Sequence, residues 1–98
     1  MKDARDIATM AELRAEIDAI DRSLVEILSR RQTMIDRAIE LKPGEGLPAR
    51  IETRVEDVVA KVRAHAGASG LDAGVAERIW RVMMDGFIAR EERVLGRE

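Results

Sequence analysis

The stretch LRAEIDAIDRSLVEILSRRQTMIDRAIELK, residues 13–42, decides the fold. Its apolar positions are Leu13, Ile17, Ile20, Leu24, Ile27, Leu28, Ile35, Ala38 and Ile39. They recur in steps of three and four, which places them on one face of an α-helix. Just upstream, Thr9-Met10-Ala11-Glu12 reads as a capping box, the hydroxyl satisfying one orphan amide and the carboxylate reaching back to another. Pro43 disfavours helical backbone at the residue before it, so the helix is expected over 9–42. That is about 33 residues and roughly 50 Å at 1.5 Å per residue.

A compact chain of 98 residues has a radius of gyration of about 13 Å. A helix of that length with an apolar stripe along all of it needs more cover than the rest of the chain supplies. The expected cover is a second copy, giving an all-α homodimer.

Working outward, Pro43-Gly44-Glu45-Gly46-Leu47-Pro48 is a break rich in turn formers. A second helix is expected over 49–66, with Ile51, Val55, Val58, Val59 and Val62 on one face. Asp72 is placed to cap a third helix over 72–95, whose stripe is Ala76, Trp80, Met83, Met84, Phe87, Val94 and Leu95. Residues 1–8 show no periodicity and read as a flexible tail ahead of a single helical domain over 9–98. The palette supports this reading. Trp80 and Phe87 are the only aromatic residues, whereas sheets lean on aromatic and β-branched side chains. With 46% hydrophobic and 37% charged residues, the chain has the composition of a folded protein.

The same arithmetic excludes several classes of function. No cysteine is present, which removes disulfides, thiol catalysis and Cys-ligated metal. His65 has no companion His or Cys for a zinc site and reads as a surface or edge residue. The formal charge of −2 opposes a nucleic-acid partner, and acidic residues surround the Arg30-Arg31 pair. No apolar run approaches the ~20 residues of a membrane span, and the charged N-terminus lacks the apolar core of a signal peptide. A cytoplasmic protein is expected. Glu92, Arg93, Arg97 and Glu98 read as a solvated helix end.

Charged residues nevertheless fall where the stripes call for apolar ones. Extending Leu13, Ile17, Ile20, Leu24 and Leu28 lands on Arg31, then on Ile35 and Ala38, then on Lys42. Arg31 and Lys42 are almost three whole turns apart, about 16 Å along one face. Arg54 lies beside Ile51 and one turn before Val58, and the series Trp80, Met84, Phe87 continues to Glu91. A buried charge costs several kcal/mol unless it is paired. These groups therefore either pair with one another and snorkel from the stripe edges, or line a polar pocket for a ligand with more than one negative charge. Arg14 lies at the stripe edge about 25 Å from Arg31, too far for one pocket of one chain but within reach of a partner's site in an antiparallel dimer.

In this order, Leu13-Arg14, Ile17-Asp18, Arg30-Arg31, Lys42, Pro48 with Arg54, and Gly70-Leu71-Asp72-Ala73 resemble the all-helical (AroQ-type) chorismate mutases over about residues 10–95. The resemblance implies an intertwined homodimer of three-helix chains, each site taking one arginine from the other chain. Carried over position by position, Arg14 is that partner-supplied arginine. Arg31 and Arg54 bind carboxylates, and Val55 and Phe87 complete the substrate-binding set. Lys42 contacts a carboxylate and the ether oxygen, and Glu91 falls where most members carry Gln as the second donor to that oxygen. The implied reaction converts chorismate to prephenate, in aromatic amino-acid biosynthesis, in one pericyclic step. It requires no nucleophile, metal or cofactor.

Three positions depart from the family pattern. Glu91 donates only when protonated, so activity is expected to fall as pH rises. Val55 stands where many mutases have a hydroxyl-binding Glu, and Ile51 replaces an Asp. An apolar residue at position 55 also resembles the isochorismate-pyruvate lyase branch, which eliminates pyruvate on the same fold and keeps weak mutase activity. A helical dimerisation module without catalysis is the rival outside enzymes. It requires Arg31, Lys42 and Arg54 to be dispensable.

Overall fold

A computed structural model describes residues 3–96; Met1, Lys2, Arg97 and Glu98, the first two in the expected tail and the last two in the expected solvated end, lie outside the described residues. Three α-helices follow one another, α1 (Met10–Glu45), α2 (Glu52–Ser69) and α3 (Ala73–Leu95), and no strand occurs among the described residues. The all-α class is as the sequence implies. A single 3-10 turn at Ala4–Asp6 precedes them, with Asp3 accepting from the Arg5 amide. The chain divides into two compact units between Thr33 and Met34, so that α1 contributes to both.

The start of α1 is the expected one. Thr9 Oγ1 accepts from the Glu12 amide at 3.2 Å, while the Glu12 carboxylate takes the Ala8 amide, one residue earlier than the standard box. Its end is not. α1 runs through Pro43 and Gly44 to Glu45, three residues past the expected stop. A proline in the final turn forfeits the hydrogen bond its own amide would make, and the turn after it closes on later carbonyls. The Leu47 amide reaches the Lys42 carbonyl at 3.0 Å and the Gly46 amide reaches the Pro43 carbonyl at 3.2 Å. Gly46 sits at φ 69°, the left-handed conformation that closes such a Schellman motif. Glycine 46, not proline 43, ends the helix.

Helix α2 starts at Glu52 and not at Ala49 as expected, because residues 49–51 are committed elsewhere: Ile51 is extended and caps the helix with its carbonyl alone. It continues through Gly67 to Ser69, where Gly70 at φ 78° repeats the Schellman closure. Asp72 caps α3 as expected, accepting from the Gly74 and Val75 amides.

The core lies in the second unit, between α2 and α3. Ala49, Val55, Val59, Met84 and Ile88 form it, with Val58, Trp80 and Leu95 packed against its edge. The buried face of α3 keeps Ala76 and Met84 of the expected stripe, with Trp80 and Leu95 at its edge, and adds Ile88, whereas Val94 is exposed. On α1 no residue is buried. Ile17, Ile20, Leu24 and Ile27, the centre of the stripe that decides the fold, stand exposed. Within the first unit nothing covers them. Among the described residues no helix is long and apolar enough to cross a membrane.

Candidate active site

In the second unit, the last turn of α1 faces α3. Lys42 is placed twice over by this end of the helix: its carbonyl receives the Leu47 amide, and its side chain follows the emerging loop to donate to the Ala49 carbonyl at 2.8 Å. The same ammonium lies 2.7 Å from Glu91 Oε1. Both groups are shielded, with side chains 15% and 5% exposed. Glu91 is the one charged residue among the buried described positions. It extends the α3 face that carries Met84 and Ile88, and Phe87 stands half-buried one turn before it. The structure thus unites two of the sequence-predicted residues, on elements almost fifty positions apart, as a shielded cation–carboxylate pair. A shielded ammonium is a strong, charge-assisted donor to an incoming anionic oxygen.

Val55 lies in the apolar core and not on an open polar wall. Arg54, at the first turn of α2, points outward instead. Its side chain is 63% exposed and donates to Asp57 Oδ2 at 2.9 Å, an oxygen shared with Lys61. Hydrogen bonds from Lys61, then from Arg54, hold the Asp57 carboxyl below its usual range. Arg54 is therefore not joined to Lys42 and Glu91 in this arrangement. In the first unit, Arg14 is exposed and Arg31 half-buried on α1. His65 is exposed on α2, and no cluster of three metal-binding side chains occurs among the described residues.

Three features around the pair escape sequence reasoning. The Ala49 carbonyl is backbone and carries no sequence signal. Arg50 donates to Asp85 Oδ1 at 2.8 Å, and Arg90 to both oxygens of Asp36. Those partners are 35 and 54 positions apart, so no local spacing announces them.

In the second unit, then, a shielded Lys–Glu pair joins the end of α1 to α3 of an all-helical chain. The comparisons with known proteins give its family. Residues 13–92 match the family described as chorismate mutase type II, and the chain belongs to that family. It is 30% identical to the isochorismate pyruvate lyase of Pseudomonas aeruginosa, over 93% of this chain and 89% of the lyase. It is 29% identical to the 4-amino-4-deoxychorismate mutase of Streptomyces venezuelae, over 91% of this chain and 86% of that enzyme. A T-protein of Enterobacter agglomerans is 27% identical over 89% of this chain, which spans only 24% of the T-protein's length. No solved structure matches the chain significantly.

Proposed function

We propose that the chain, through residues 9–98, catalyses the rearrangement of chorismate to prephenate as a homodimer. The observation that carries this reading is the shielded Lys42–Glu91 pair. An ammonium has three N–H donors. Two are directed at the Ala49 carbonyl and at Glu91, which leaves one for a substrate oxygen. As the ether C–O bond breaks and the new C–C bond forms, negative charge gathers on the ether oxygen. A preplaced donor there favours the transition state over the substrate, an effect typically worth about 3–4 kcal/mol. Glu91 occupies, by the family resemblance, the position of the second donor, where its carboxylate pairs with Lys42. By the family resemblance, Arg31, Arg54 and the partner-supplied Arg14 hold the two carboxylates in the compact reactive conformer. Exposed Arg54 has only a surface pairing with Asp57 to give up. The unpartnered apolar residues of α1 supply the dimer surface.

Elimination of pyruvate from isochorismate is the second reading. Val55 favours it, since its buried isopropyl group cannot bind a substrate hydroxyl as a carboxylate can. The similarity to a lyase over nearly the whole of both chains supports it too. The test is turnover of chorismate, isochorismate and 4-amino-4-deoxychorismate in parallel, following prephenate, its amino counterpart, pyruvate and salicylate. The mutase reading expects prephenate as the main product, and at least a hundredfold loss in Arg54→Gln with the melting temperature unchanged. Pyruvate and salicylate as main products establish the lyase instead. Absence of turnover with all three leaves the dimerisation module.

A further inference from the structure

The loop between α1 and α2 is pinned at two adjacent residues in different directions. Ala49 turns inward: its methyl is buried with Val55, Val59, Met84 and Ile88, and its carbonyl accepts from Lys42 Nζ at 2.8 Å. Arg50 turns outward: Nη2 donates to Asp85 Oδ1 at 2.8 Å, and Nη1 to Glu52 Oε1 at 3.3 Å. Asp85 and Glu91 both belong to α3. The contacts therefore form a circuit that leaves α3 at Asp85, passes through Arg50, the Ala49 carbonyl and Lys42, and returns to α3 at Glu91. Lys42 is a flexible four-carbon stem ending in a point charge, so the placement of its donors is set by what its ammonium touches. One of those contacts is a loop carbonyl whose neighbour is tied to α3.

We propose that Arg50 and Asp85 are positioning residues, a latch that sets the direction of the Lys42 ammonium through the loop backbone. The link to turnover rests on the reading of Lys42 as donor to the substrate. The pair is solvent-exposed, and exposed pairs contribute little to stability. An effect of breaking it on catalysis thus reports geometry and not unfolding. Displacing a reacting group by about 1 Å can cost up to about a hundredfold in rate. A loosened latch, which shifts Lys42 only part of the time, is expected to cost about tenfold.

The chain has three lysines, Lys2, Lys42 and Lys61, and Lys61 is exposed on α2, paired with Asp57 and not with a residue of the latch. Acylation of amines, read by mass spectrometry as the ratio of Lys42 to Lys61 modification, therefore measures the tethering of Lys42 without any substrate. Asp85→Asn and Arg50→Gln are expected to raise that ratio several-fold and to lower kcat about tenfold, with the melting temperature held. The exchanged pair, Arg50→Asp with Asp85→Arg, restores both. In a Lys42→Gln background, Asp85→Asn has no further effect on turnover. An unchanged labelling ratio, or an unchanged kcat in a chain that turns over, overturns the proposal. If none of the three substrates reacts, the functional reading fails alone, and the labelling ratio still decides the latch.

Discussion

Arg90 grips Asp36 through two hydrogen bonds, Nε to Oδ1 at 2.9 Å and Nη2 to Oδ2 at 3.2 Å. The next residue on α3, Glu91, holds Lys42, about one and two-thirds turns further along α1 than Asp36. Two consecutive residues thus fasten the end of α1 to α3, one from the half-exposed edge and one from the interior. The forked geometry of the first contact fixes orientation as well as distance.

That first contact makes stability depend on acid. The hydrogen bond from Arg90 holds the Asp36 carboxyl below its ordinary value. Arg81 does the same for Glu56, and Arg81 followed by Arg63 for Glu77. A carboxylate whose folded pKa is depressed contributes stability that is present above its unfolded pKa and lost as pH falls through the folded one. Melting temperature should therefore be flat from about pH 7 to pH 5 and fall below about pH 4. Asp36→Asn and Glu77→Gln should each lower the plateau and shrink the fall. Thermal melts across that range check the sign, and a melting temperature that climbs on acidification contradicts it.

Breaking the interior contact from one side leaves a charge buried alone. Lys42→Gln strands Glu91 and is expected to cost about 3–5 kcal/mol, far more than removal of an exposed cation such as Arg54. Lys42→Gln combined with Glu91→Gln should recover much of that loss, since two amides can pair without charge. Glu91→Gln alone puts an amide donor at that position and should retain turnover. Loss of turnover in a folded Glu91→Gln dimer removes the position from the proposed donor role.

A shared site has a signature in mixed dimers. Arg14→Ala and Arg31→Ala should each abolish turnover. After the two are unfolded together and refolded, half of the dimers are mixed, and one of the two sites in each has every cation. Roughly a quarter of the wild-type activity should return. No recovery from an equimolar mixture shown to exchange subunits contradicts the supply of Arg14 across the dimer.

Two glycines close together should respond in opposite directions. Gly46 has φ 69°, so Gly46→Ala strains the closure of α1 and should destabilise by about 1 kcal/mol. Gly44 lies within α1, and an added Cβ there meets nothing within 4 Å. Gly44→Ala should stabilise by about 0.5–1 kcal/mol. Denaturant midpoints of the two variants settle whether glycine 46 is the stop.

The helical class and the need for cover on α1 were legible because they rest on periodicity and length, properties of neighbouring positions along one element. The Thr9 and Asp72 caps were legible for the same reason. The end of α1 was misjudged since the proline rule weighs one residue, whereas the closure at Gly46 draws on Lys42, Pro43 and Leu47 together. Lys42 and Glu91 could be singled out as charges on apolar faces, but periodicity could not say that they meet each other. Nor could it say that Arg54 turns to Asp57, or that Arg50 and Arg90 find Asp85 and Asp36. By itself the sequence determined which residues form helices and which of them carry misplaced charge, because those depend on local backbone preference and spacing. Only the tertiary structure decided which charges pair and which way the loop carbonyls point. Those contacts join positions far apart in the chain, and their geometry follows from how α1 and α3 pack.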